Sequence, residues 1–283
     1  MRKLATALIV SSALAGFSSP SFGQNLYGNS ASFGNNQIHI INPLTGQEIV
    51  RYTGQASGNG RGVVTIGDTI YYTVVGDPNI YKMDANTGQT TGSILTENLS
   101  MSTIAWDGSH FWTADYSGTN RAFEIDPVTG LNIKTITLAN AEENMDGLEY
   151  FDGKLIGNRC DACGIYDIYD LDGNVLDDAF INTGTNSTGI AFDGTNFLVS
   201  NIFAQTVGVY SGTTGALLKT ITLSSQNGSF LIEDLSVDYS QRADTGGQTG
   251  LPEPGTWAMM LLGFGAIGFA VRREKAKFVP KFV

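Results

Sequence analysis

The dipeptide Thr-Gly stands at 45–46, 87–88, 129–130 and 214–215, with Asp172-Gly173 in the remaining place, so successive copies lie 42, 42, 43 and 42 residues apart. A unit of that length cannot bury its apolar face alone, so copies must pack against one another. Each copy carries one grammar: "IHIINPLTGQEIVRY", "IYKMDANTGQTTGSI", "AFEIDPVTGLNIKTITL", "YDIYDLDGNVLDDAF" and "VGVYSGTTGALLKTITL". An alternating strand runs into a glycine turn and a second strand leaves it. Ahead of each sits another hairpin. "STIAWDGSHFWTAD", "GLEYFDGKLIGN" and "GIAFDGTNFLVSN" join apolar strands at Asp-Gly, and "VVTIGDTIYYTVV" uses Gly67-Asp68; both residue types tolerate the positive φ of a tight hairpin. Four strands, A to D, in each period match one propeller blade.

The ends of the repeat predict closure. Before "IHIINPLTG" there is only a B strand, "NLYGNS", and after the fifth D strand, "ALLKTITL", comes one more A-type strand, "FLIEDLSVDYS". The last strand therefore completes the first blade, with A from 231–239 and B, C and D from 25–53. Such a ring has no free end, which removes an exposed edge that would otherwise invite pairing. The expectation is an all-β, five-bladed β-propeller; a sixth blade would need a unit that the sequence lacks, and a β-solenoid or sandwich are the competing folds. With 35 glycines and 42% hydrophobic residues, the chain has both the turns and the core such a fold needs.

The two termini read as addresses. Arg2 and Lys3 precede an apolar stretch from Leu4 to Phe17, and Ser21-Phe22-Gly23 offers small residues for cleavage before Gln24; this is the pattern of a secretory signal peptide, 1–23. At the other end Thr256 to Val271 is a 16-residue run without charge, about 24 Å long as a helix. It is a marginal membrane span followed by basic residues 272–283, which stay cytoplasmic and leave the body outside. Pro252 and Pro254 keep a helix from continuing outward.

Residues 252–273, with Pro252-Glu253-Pro254, Trp257-Ala258, a glycine-rich apolar stretch and Arg272-Arg273, resemble the PEP-CTERM sorting signal of Gram-negative bacteria, in the variant of sphingomonad-type proteobacteria. The tail beyond Arg273 runs on further than is usual. The resemblance implies an exosortase-type membrane enzyme as partner, a transient inner-membrane anchor, cleavage near the motif, and a final home at the cell surface or in exopolysaccharide. The expected organisation is signal peptide 1–23, propeller 24–241, flexible linker 242–251 and sorting signal 252–283, with the span at 256–271. Outside the tail, the blades are similar in grammar to extracellular propeller repeats grouped with NHL and YVTN proteins, although signature positions are not closely reproduced.

Charge excludes one class of partner. The full chain is −11, but seven of its 16 basic residues and two of its 27 acids lie outside 24–250, leaving the body at −16. Phosphate backbones and anionic lipid repel such a body, so nucleic acid is excluded as a partner.

Propeller ligands usually bind on the face of the D–A and B–C loops. Aligning the A strands puts Arg61, Ser102, Asp146, Thr188 and Glu233 at one level there, with Gly62, Thr103, Gly147, Gly189 and Asp234 one step inward. Asp146, Glu233 and Asp234 opposite Arg61 are the set that would hold a ligand or a hard cation such as Ca2+; alternatively Arg61 neutralises the acids across a solvated channel. Cys160 and Cys163 fall in the fourth B–C loop of an exported chain with no other cysteine, which favours a local disulfide over zinc or redox chemistry. His39, in a C strand, and His110, at the start of a B strand, read as packing or surface residues. Trp106, Tyr150 and Phe192 occupy corresponding blade positions and read as inter-blade core. The function expected is an exported, sorted, non-enzymatic binding or matrix protein, with exopolysaccharide or surface glycan as partner; the rival is a cation-dependent propeller enzyme, lactonase- or lyase-like, using the acidic mouth.

Overall fold

The computed structural model describes residues 24–31, 35–161, 163–184, 186–242 and 244; the expected signal peptide 1–23, the sorting motif and the expected span 256–271 lie outside them. In chain order, β1 (Leu26–Ser30), β2 (Asn35–Ile41) and β3 (Glu48–Ser57) begin blade 1. Blade 2 is β4 (Gly60–Ile66), β5 (Thr69–Val74), β6 (Asn79–Asp84) and β7 (Thr90–Leu95). Blade 3 is β8 (Ala105–Trp106), β9 (Phe111–Ala114), β10 (Arg121–Ile125) and β11 (Asn132–Thr137). Blade 4 is β12 (Leu148–Phe151), β13 (Lys154–Asn158), β14 (Ile165–Tyr169) and β15 (Val175–Asn182). Blade 5 is β16 (Ile190–Phe192), β17 (Asn196–Asn201), β18 (Thr206–Ser211) and β19 (Leu217–Thr222), after which β20 (Ile232–Ser236) returns to blade 1. Each blade is a four-stranded antiparallel sheet, and the first is ordered β20-β1-β2-β3. The protein is a five-bladed β-propeller, closed by pairing its last strand to its first. No helix among the described residues is long and apolar enough to cross a membrane.

The repeated glycine explains its own period. Gly46, Gly88, Gly130, Gly173 and Gly215 all have φ between 65° and 89°, a region that favours residues without a Cβ. Each also presses on the preceding blade. A Cβ on Gly130 would stand 1.9 Å from the Leu95 carbonyl oxygen, and one on Gly215 would stand 1.7 Å from that of Phe180. The turn is therefore both a reversal within one blade and a contact with its neighbour. Ahead of it, Asp84 and Asp126 accept hydrogen bonds from the backbone N–H groups two and three residues on, which pins the turn.

Blade faces supply the core. Leu26 and Ile41 of blade 1 meet Leu198, Val207 and Ile221 of blade 5, while Trp112 and Ile136 of blade 3 meet Leu148, Leu155 and Tyr169 of blade 4. Tyr150 and Phe192 are buried and Trp106 packs half-buried between blades, as expected for core aromatics.

A second latch follows β20. A short 3-10 turn, Tyr239–Gln241, leads to Arg242, which is only 2% exposed. Its Nη1 donates to Glu149 Oε1 at 2.9 Å, and the Tyr239 hydroxyl donates to the same oxygen at 2.6 Å. The guanidinium also lies 4.3 Å from the Tyr239 ring centroid. Arg242 was expected to open the flexible linker, but the structure locks it in place, because a buried carboxylate 93 residues away in sequence needs a counter-charge.

Candidate functional site

Where the inner strands meet, the ring is nearly shut. A Cβ on Gly62 would lie 2.4 Å from the Ile104 nitrogen, one on Gly147 would lie 2.2 Å from the Thr188 oxygen, and one on Gly189 would lie 2.3 Å from the Asp234 Cα. Side chains at this level would hold the blades apart. Thr103 and Asp234 are the exceptions, and Asp234 acts as a clasp: its Oδ2 accepts from the Val63 N–H at 3.1 Å and from the Thr103 hydroxyl at 2.9 Å, tying blade 1 to blades 2 and 3. Its other oxygen is buried without a partner. Burial pushes the carboxyl well above its usual range, against the hydrogen bonds from Thr103 and the backbone.

One step outward the structure brings together Arg61, Asp146 and Glu233. Arg61 pairs with Glu233 at 2.5 Å, both side chains nearly buried, and its guanidinium sits 4.2 Å from the Tyr116 ring centroid. The Tyr116 hydroxyl donates to Asp161 at 2.8 Å. Burial, and then the hydrogen bond to Asp161, raise the Tyr116 hydroxyl to about 12. Asp146 is 1% exposed. Burial raises its carboxyl well above the ordinary range, and the Glu233 charge and the hydrogen bond to Asp161 push the same way. Glu233 is also raised by burial, while Arg61 opposes the shift.

Asn158 organises this corner. Its Oδ1 accepts from the N–H groups of Asp146 and Gly147 at 3.1 and 3.0 Å, while its Nδ2 donates to the Asp146 carboxyl and to the Cys160 carbonyl. Cys160 and Cys163 form a disulfide, which fixes the loop carrying Asp161 over the mouth. Asp161 is the member that sequence reasoning missed; its place inside "CDAC", already assigned to the mouth face, was the available signal.

Beside the mouth runs a groove of about 280 Å³ between the D–A loop entering blade 3 and that blade's B–C loop. Asn98, Ser100, Asp115, Ser117 and Arg121 line it, together with Leu99, which is 64% exposed. Burial would raise the Asp115 carboxyl, but hydrogen bonds from Ser117, Thr119 and Arg121 outweigh it and hold the group below its usual range. Arg121 reaches Asp115 at 2.9 Å. A fixed anion, a planar cation and amide and hydroxyl groups around an apolar patch suit a neutral polyhydroxyl ligand.

The two histidines lie elsewhere. His39 is fully buried, stacks on Phe230 at 4.5 Å and shares a 2.6 Å contact with Glu48. His110 sits at the opposite end of blade 3 from the mouth, beside Asp107 and Glu124.

Comparisons with known proteins find a sorting motif and a similar fold. The family described as "PEP-CTERM protein-sorting motif" matches residues 251–274. Among curated proteins nothing matches the chain. Among solved structures, a chain in the "Crystal structure of Nidogen/Laminin Complex" is similar at 12% identity with a TM-score of 0.51, over 76% of this chain and 98% of that one. The likeness concerns the fold alone. A chain of Kuenenia stuttgartiensis hydrazine synthase is similar at 14% identity with a TM-score of 0.41, over 58% of this chain and 49% of that one. The protein thus carries a PEP-CTERM sorting motif at 251–274 behind a five-bladed β-propeller, and the motif implies export, processing by exosortase-type machinery and transient passage through the membrane towards the cell surface.

Proposed function

We propose that the propeller is a non-enzymatic binding module, delivered to the cell surface or its exopolysaccharide, whose mouth face holds a segment of surface glycan. The groove beside Arg121 carries this reading, because it presents fixed polar groups and an apolar patch to solvent. The mouth itself supports binding over catalysis. Arg61 is spent on Glu233, Asp146 is held by Asn158, and both histidines are remote. Titrating the mature protein with purified exopolysaccharide and with defined oligosaccharides tests the proposal. Binding is expected, and Arg121→Ala weakens it at least tenfold; an Arg121→Ala protein that binds as well as wild type would remove the groove from the reading, and a wild-type protein silent to every glycan would leave a matrix spacer in its place.

A cation-dependent enzyme using Asp146, Glu233 and Asp234 is the rival reading. The buried Asp146 carboxyl, raised by its enclosure beside Glu233, favours it. The enclosure of Asp234 between Thr103, Val63 and Gly189 weighs against it, since an ion there would have no room.

A further inference from the structure

We propose that Asp107, His110 and Glu124 form a binding site for one borderline divalent cation of the Zn2+ type, on the face of the propeller opposite the mouth. His110 Nδ1, one carboxylate oxygen of Asp107 and one of Glu124 lie within 4.8 Å of one another. His110 Nδ1 stands 2.9 Å from Glu124 Oε1 and 3.8 Å from Asp107 Oδ2. Two ligand atoms, each about 2.1 Å from a tetrahedral zinc ion, stand about 3.4 Å apart, so the separations bracket the value that a bound ion would impose. Among the described residues, no other set of three His, Cys, Asp or Glu side chains converges in this way, the mouth acids included.

The three side chains are fixed by the hairpin that carries them. Asp107 Oδ1 accepts from the Ser109 and His110 N–H groups at 2.8 and 2.7 Å, and Oδ2 accepts from Trp112 Nε1 at 3.0 Å. That oxygen keeps a lone pair for an ion, and the indole sets its direction. Glu124 lies opposite Trp112 in the β9–β10 register. The His110 side chain is 34% exposed while the two acids are largely covered, so solvent can reach the site from one side and complete the coordination.

The internal repeat shows that the fold does not require this trio. In blade 5 the Asp193-Gly194 turn makes the same hydrogen bonds, yet Asn196 takes the place of His110. The register that pairs Trp112 with Glu124 pairs Leu198 with Val209 in blade 5 and Ile156 with Ile168 in blade 4. Relative to blade 5, blade 3 departs at both positions together, with an imidazole for the turn amide and a carboxylate for the apolar strand residue. One imidazole with two carboxylates selects zinc, copper or nickel over calcium, which prefers six to eight oxygen ligands.

Isothermal titration of the full, tag-free chain with Zn2+ tests the site, alongside His110→Asn, which copies the blade 5 solution and should preserve the fold, and Glu124→Gln. One equivalent of Zn2+ is expected to bind the wild type, each variant is expected to bind at least tenfold more weakly with an unchanged metal-free Tm, and excess Ca2+ is expected to leave the titration unaltered. No Zn2+ binding by the wild type, equal affinity in both variants, or displacement by equimolar Ca2+ would each overturn the proposal.

Discussion

His39 shows how much a single buried side chain can couple this fold to its surroundings. Burial is the largest influence on its imidazole and lowers it from 6.5 to about 4, despite the partial support of Glu48. Burial would raise Glu48 itself, but hydrogen bonds from Arg51, Ser225, His39 and Asn227 win and hold it at about 2. The folded state thus binds a proton at His39 less readily than the unfolded chain does, so the contribution of His39 to stability is complete above pH 6.5 and is lost as the pH falls towards 4; the full difference amounts to about 3 kcal/mol. Over thermal melts from pH 7 to 5 the Tm of the wild type should fall relative to that of His39→Gln, which keeps a donor to Glu48 without the titration; parallel curves would remove His39 as the cause. Contacts of this kind were only half legible in the sequence. Cys160 and Cys163 announced their bond by proximity and by the lack of other cysteines. Asp161 over the mouth and the Glu149–Arg242 pair depend on which loops and strand ends a closed ring brings together, and no local pattern records that.

At the scale of the element, the Thr-Gly turn links two levels of order, and its glycine can be told apart from a loop glycine of similar φ by what surrounds it. Gly130 has φ of 74° and faces the Leu95 carbonyl, whereas Gly76 has φ of 71° and nothing within 4 Å of the position a Cβ would take. Gly76→Ala should cost only the backbone penalty, about 1–2 kcal/mol. Gly130→Ala adds a clash with backbone that cannot swing aside, and should cost roughly 2–4 kcal/mol in total; chemical denaturation of both variants measures the difference. Strand periodicity and the Asp-Gly hairpins made the blades readable, because period-two alternation and turn chemistry are local properties. The reason for glycine at 62, 147 and 189 was not readable, since it lies in the approach of neighbouring inner strands rather than in any turn.

The whole molecule depends on β20, which enters blade 1 beside β1 and sends Asp234 into the clasp with blades 2 and 3. A chain ending before Phe230 loses that strand, the clasp and the Arg242 latch, so circular dichroism should show no cooperative melting transition; a sharp transition at the wild-type temperature would mean that the ring closes without it. The mouth and the chain's exit lie at opposite ends of the inner strands: Arg61 stands at the start of β4, while Gly67, just past its end, donates to Asp238 on the way to Arg242. Seven residue steps separate Asp244 from Leu251, a reach of at most roughly 25 Å. A pull on the C-terminus therefore reaches the hub of the wheel before its rim. It must first draw a buried guanidinium from its socket and then shear the innermost strand, together with the Asp234 clasp, away from β1 and blades 2 and 3.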